Sequence, residues 1–146
     1  MRRPDPAIRT LLLDNNVFVA ATRNPRRMTE TLRLILKIVQ DRDIRLVGNE
    51  LLVEEMARYA EAFGSRTAAL ILGVLASKME VLEVRESLIR VCRAYMRDGE
   101  AVDVVLAATC LQAEAVLITN DRHFDRIRDE GIIKVWSIAE AISNLL

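Results

Sequence analysis

The chain has 146 residues, 51% of them hydrophobic and 29% charged, with Lys plus Arg and Asp plus Glu balanced at 21 each. That suffices for one domain, 1–146, with a core of its own. It excludes a disordered chain, a collagen-like or low-complexity one (5 Gly, 3 Pro), and any global electrostatic pull toward a polyanion. The longest apolar run, residues 67–77, is too short to span a bilayer. No basic start followed by an apolar stretch and a small-residue cleavage site is present, so neither a membrane span nor a secretory signal is expected.

Residues 1–6, basic and Pro-containing, read as a loose end. Ile8 to Leu13 reads as a short buried strand ending at Asp14, and Val17 to Ala21 as the opening of a short helix. Met28, Leu32, Ile35, Leu36 and Val39 repeat at the spacing of one helical face. Ile44 to Val47 is a second short strand. A helix follows from about Glu50 to Phe63, with an apolar stripe through Leu52, Met56, Tyr59 and Phe63 and Gly64 as its C-terminal cap. Ser65 caps the next helix, whose apolar face includes Leu70, Ile71, Val74 and Leu75. Val81 to Val84 is read as a short strand, Leu88 to Met96 as a helix, and about Glu100 to Ala113 as an Ala-rich helix. Ala115 to Thr119 is the clearest strand; Arg122 to Asp129 is a short helix stopped by Gly131; Ile132 to Trp136 is a strand. Ser137-x-x-Glu140 is a capping box for the last helix. Cys92 and Cys110 both fall in apolar helical patterns. They read as buried thiols of a reducing compartment, the cytoplasm, not as a disulfide.

Strands alternating with helices predict an α/β fold: a three-layer α/β/α domain with a mainly parallel central sheet, whose site lies beyond the carboxyl ends of its strands. Asp14 follows the first strand, and Asp121 comes two residues after the strand Ala115–Thr119. From Asp103 to Ala113 a helix descends roughly 15 Å. The following strand climbs back about as far, which returns Asp121 to the level of Asp103. In the helix after the second strand, the wheel puts Glu55 on the shoulder of the apolar stripe and Glu54 nearly opposite, toward solvent. Each acid also has a bland reading. Asp14 and Asp121 precede short helices and would serve as N-caps, Asp103 suits a first helical turn, and Glu54 and Glu55 suit a solvated face. The functional reading rests on convergence. Asp14, Glu55, Asp103 and Asp121 on one edge would repel one another and raise one another's pKa values unless a divalent cation intervened. All-oxygen ligands favour Mg²⁺ or Mn²⁺, a combination suited to phosphodiester hydrolysis.

The segments LLLDNNV and DVVLAATCLQAEAVLITNDRHF resemble the PIN domain, a family of small α/β nucleases that includes the toxins of VapBC toxin–antitoxin pairs. The most specific part is Asp103, an Ala-rich helix, an apolar strand and Thr119-Asn120-Asp121-x-x-Phe124. The resemblance implies Mg²⁺- or Mn²⁺-dependent cleavage of RNA. It carries over Asp14, Asp103 and Asp121 as the first, third and fourth acids and as metal ligands. Glu55, followed by the apolar Met56, fits the second acid better than Glu54 and would position the metal or the attacking water. Asn16 matches a small polar residue two after the first acid. Two positions depart: Asn15 stands where Thr or Ser is common, and His123 where some members have another carboxylate. The bland reading of His123, an exposed side chain with no role, is preferred; a phosphate contact is the alternative. Arg23, Arg26 and Arg27 are candidates for RNA phosphates or a solvated basic loop.

Other readings stay open. One is a catalytically weak RNA-binding or RNA-processing module of the same fold; another is a phosphatase or a DNA nuclease. No Gly-rich phosphate loop and no Gly-x-Ser-x-Gly elbow occur, which disfavours an NTPase and a serine hydrolase. The helix 67–77, apolar around much of its circumference, is core or a homodimer face. If the protein is a toxin, an antitoxin protein is implied as partner.

Overall fold

The computed structural model describes residues 9–23 and 29–146. Ile8, Met28, Arg26, Arg27 and the expected loose end 1–6 lie outside them. In chain order the elements are β1 (Arg9–Leu13), α1 (Asn15–Thr22), α2 (Glu30–Gln40), β2 (Ile44–Gly48), α3 (Glu50–Phe63), α4 (Arg66–Lys78) and β3 (Glu80–Val81). There follow α5 (Glu86–Tyr95), α6 (Ala101–Ala113), β4 (Val116–Ile118), a 3₁₀ turn (Arg122–Phe124), α7 (Asp125–Asp129), β5 (Lys134–Trp136) and α8 (Ile138–Leu145).

The five strands form one sheet in the order β3-β2-β1-β4-β5, every neighbouring pair parallel. Leu11, Leu12 and Leu13 are at most 1% exposed, the continuous apolar run expected of a parallel strand covered on both faces. Helices α1 to α4 and α8 pack together on one face, and α5 to α7 on the other, α6 lying against β1, β2 and β4. The expected three-layer α/β/α architecture is therefore present. The chain leaves β1 toward β2 and β3, then returns to add β4 and β5 on the other side. The switch point where strand order reverses thus lies between β1 and β4. There the chain diverges at the carboxyl ends of two adjacent strands, leaving a crevice.

Local signals place the helices. Thr29, Asn49, Ser65 and Ser137 each accept a bond from an amide in the first turn of the helix they precede, and the Ser137–Glu140 capping box is complete. Gly64 closes α3 with φ 58°. Four expectations need correction. The strand read at Val81–Val84 is only Glu80–Val81, because Gln112 of α6 takes over the backbone beyond it: its Nε2 donates to the Glu83 carbonyl (3.0 Å) and its Oε1 accepts from the Arg85 amide (2.8 Å). The last strand begins at Lys134 rather than Ile132, since the Ile132 amide turns back to the carbonyl of Ile127 (3.2 Å) and closes α7 after Gly131, φ 72°. On α3 the buried line is Leu52, Met56 and Ala60. Tyr59 and Phe63 are exposed and lie against each other as a tilted pair, ring centroids 5.9 Å apart. On α4, likewise, Ala68, Ile71 and Leu75 are buried while Leu70 and Val74 face outward.

Candidate metal centre at the carboxyl edge of the sheet

Asp14 stands where β1 ends and α1 begins, 7% exposed, its amide bonded to the carbonyl of Ile118 at the end of β4 (3.1 Å). It occupies the N-cap position of α1 without capping it. Its Oδ2 instead accepts from the Thr119 hydroxyl at 2.7 Å. The same Thr119 Oγ1 accepts from the Asp121 amide at 3.0 Å, so one buried hydroxyl bridges the acid of β1 to the acid after β4. The intervening Asn120 accepts from the Ile138 amide (2.9 Å) and ties this loop to α8. Each residue of the Thr-Asn-Asp motif therefore has its own task.

Asp121 Oδ1 accepts from the His123 amide at 2.9 Å, which makes it the cap of the 3₁₀ turn. That turn, anchored by the fully buried Phe124, swings the imidazole toward the acids. Its Nδ1 lies 3.2 Å from Asp121 Oδ1 and 3.4 Å from Asp103 Oδ2. Donor atoms of Asp103, Asp121 and His123 lie within 4.8 Å of one another. Asp103 is in the first turn of α6, and Glu100, one turn earlier, adds a further negative charge to the edge.

Glu55 is half-buried and Glu54 exposed, as the wheel has it. Glu55 Oε1 accepts from the side-chain Nδ2 of Asn15 at 3.3 Å. Asn15 is 2% exposed, and its Oδ1 has no partner. At the start of α3, Asn49 accepts from the Leu52 amide (2.8 Å) and donates to the Thr109 hydroxyl on α6 (3.0 Å), which fixes the helices bearing Glu55 and Asp103 to each other.

The electrostatics follow from burial and crowding. Burial foremost, then the neighbouring Asp103 and Asp121, pushes the Asp14 carboxyl above the usual carboxylate range against the opposing bond from Thr119. Burial and Asp121 raise Asp103, with His123 opposing. Burial and Asp14 raise Glu55, with Asn15 and the more distant charge of Arg58 opposing. Among the described residues no Lys or Arg pairs with any of these four acids. Buried or half-buried oxygens, mutual repulsion, no Lys or Arg ion pair among the described residues and an orphaned amide oxygen form a donor set that fits a hard divalent ion. A cleft of about 740 Å³ lies at the opposite end of the strands, among Arg9, Ala115, Lys134 and Trp136. It shares no residue with the acidic edge.

The structure brings the four acids expected from the sequence, Asp14, Glu55, Asp103 and Asp121, to one edge, with Glu54 exposed and Glu55 half-buried. Sequence reasoning misses Thr119 as the bridge, Asn15 as the partner of Glu55, Glu100, and the inward turn of His123. Only Glu100 had a readable signal, its i, i+3 spacing from Asp103.

An open parallel sheet with acids gathered at its switch point defines an α/β domain built around a candidate cation site. The chain belongs to the PIN domain family, whose model matches residues 11–130. Proteins of this family are generally nucleases and use divalent metals. Among curated proteins none matches the chain. Among solved structures it is similar to VapBC2 from Rickettsia felis bound to a DNA fragment from their promoter, at 14% identity and TM-score 0.62, over 88% of this chain and 98% of that one. It is also similar to VapBC-1 from nontypeable Haemophilus influenzae (23%, TM-score 0.60, 89% and 98%) and to PAE2754 from Pyrobaculum aerophilum (19%, TM-score 0.59, 97% and 98%). At these identities the likeness establishes the fold.

Proposed function

We propose that this PIN domain is a Mg²⁺- or Mn²⁺-dependent endoribonuclease, the toxin of a VapBC-type pair. The observation that carries the reading is the gathering of Asp14, Glu55, Asp103 and Asp121 at the switch point, three of them with pKa values raised and none paired with a Lys or Arg among the described residues. Asp14, Asp103 and Asp121 would hold the ion, directly or through water. When bound, it supplies an activated water and stabilises charge on the leaving oxygen. Thr119 fixes the rotamer of Asp14, and Asn15 fixes Glu55, which positions the attacking water. Arg23, exposed after α1, is the described candidate for a phosphate contact. An antitoxin partner is supported by the similarity to VapBC structures. A homodimer is supported by the outward Phe63, Leu70 and Val74 of α3 and α4; a strict monomer by light scattering removes it. A cytoplasmic setting is supported by the two free thiols: burial pushes Cys92 up to about 11 and Cys110 further, which leaves both unreactive.

The test is cleavage of RNA by purified protein with Mg²⁺ or Mn²⁺. Activity is expected to need the metal and to be lost in Asp14→Asn and Asp103→Asn. Full activity in either variant overturns the mechanism. Metal binding without cleavage by the wild type instead favours a catalytically weak RNA-binding module.

A further inference from the structure

We infer that His123 is a metal ligand, and that Asp103, Asp121 and His123 form a mixed oxygen–nitrogen trio that holds Mn²⁺ in preference to Mg²⁺. The inference rests on the metal-site reading above and adds to it the identity of the donors and of the ion. The imidazole is not an incidental surface ring. Its backbone amide is bonded to Asp121 and the next residue, Phe124, is fully buried, so the 3₁₀ turn delivers Nδ1 to the two carboxylates. Nδ1 stands 3.2 Å and 3.4 Å from one oxygen of each. A single N–H can point at only one acceptor, and charge-assisted bonds of this kind run at about 2.7–2.9 Å. Both distances are long for such a bond. Neighbouring donors around an octahedral ion bound at about 2.1 Å lie about 3 Å apart, close to what is seen. The side chain is 53% exposed, which leaves room for water or substrate beside the ion.

The donor chemistry then selects the metal. Mg²⁺ takes oxygen ligands and parts with its waters reluctantly, whereas imidazole favours transition ions. Mn²⁺ accepts carboxylates and imidazole together. Replacing the ring by an amide removes the nitrogen while sparing the backbone bond to Asp121. Mn²⁺ loses an affinity advantage that Mg²⁺ never had.

His123 is the chain's only histidine, so an imidazole nitrogen signal in the untagged protein has one source. The experiment titrates Mn²⁺ and, separately, Mg²⁺ into wild type and His123→Gln by calorimetry, and reads nitrogen hyperfine coupling to bound Mn²⁺ by pulsed electron paramagnetic resonance. In the wild type we expect directly bound nitrogen and tighter Mn²⁺ than Mg²⁺ binding. In His123→Gln, nitrogen coupling is lost, Mn²⁺ affinity falls at least fivefold and Mg²⁺ affinity changes less than twofold. Mn²⁺ bound by the wild type without nitrogen coupling overturns the inference and leaves the nuclease reading standing. No Mn²⁺ retained by folded wild type overturns both.

Discussion

Thr119 carries more of the site than its neutral side chain suggests. Its hydroxyl donates to Asp14 and accepts from the Asp121 amide, and the first of these bonds opposes the burial that raises the Asp14 carboxyl. Thr119→Val keeps the shape and removes both bonds. The Asp14 carboxyl then rises further and its rotamer is freed, while Asp121 loses a tether. Partners of this kind are worth roughly 10–100-fold in metal affinity. We expect Mn²⁺ affinity at neutral pH to fall by about tenfold in Thr119→Val, read by calorimetry, with the circular dichroism spectrum retained; unchanged affinity would show that Asp14 needs no such orientation. Asp14, Asp103 and Asp121 are legible in the sequence because each sits at the end of a strand or the start of a helix, where chain direction alone sets the edge. Thr119 and Asn15 are not, because their partners, Asp14 and Glu55, lie far along the chain and are chosen by side-chain geometry after the sheet has formed.

Elements with strong local signals come through as read, and those decided by a distant backbone do not. The caps Ser65 and Ser137 and the Gly64 terminator mark their helices from within a few residues. The end of β3 is decided by Gln112, about thirty positions on, and no local pattern carries that information. The apolar faces of α3 and α4 are misread for a related reason. Small residues, Ala60 and Ala68, let these helices approach their neighbours, while larger side chains, Phe63 and Leu70, face outward. The C-terminus of α6 holds a conflict of its own. Glu114 adopts φ 54° while the Ala115 amide reaches back to the carbonyl of Cys110 (2.9 Å), a Schellman-type ending that favours glycine. An acid there also opposes the negative end of the helix dipole. Glu114→Gly is therefore expected to stabilise the protein by about 0.5–1 kcal/mol in urea denaturation. Because α6 leads directly into β4, the gain falls on the element that aligns Asp103 with Asp121. A loss of stability would mean that Glu114 makes a compensating contact.

At the scale of the whole molecule, the fold stores charge repulsion where the two halves of the sheet diverge. Asp14, Glu55 and Asp103 all hold pKa values above the carboxylate range, whereas in the unfolded chain they titrate at ordinary values. Between those limits the folded protein binds more protons than the unfolded one, so the contribution of these acids to stability falls as pH rises through that window. Asp41 and Glu80 have the opposite sign. Each is lowered, by the Asp43 amide and by Arg45 respectively, and each contributes stability that is lost as pH falls. A bare pH scan mixes the two effects. The difference between Asp14→Asn and wild type isolates the site, because the asparagine oxygen can still accept from Thr119. Without divalent ions, Asp14→Asn is expected to gain on the wild type as pH is raised from about 5 to 7.5, the direction set by the raised Asp14 carboxyl. Mn²⁺ reverses the order at pH 7.5. At a hundredfold excess over its dissociation constant it adds about 2.7 kcal/mol to the wild type and little to the variant. Thermal unfolding of both proteins at the two pH values, with Mn²⁺ and with chelator, reads all of these shifts. If Asp14→Asn instead loses stability at pH 7.5 in chelator, or gains from Mn²⁺ as much as the wild type does, then the crowded carboxylates are not what the ion relieves.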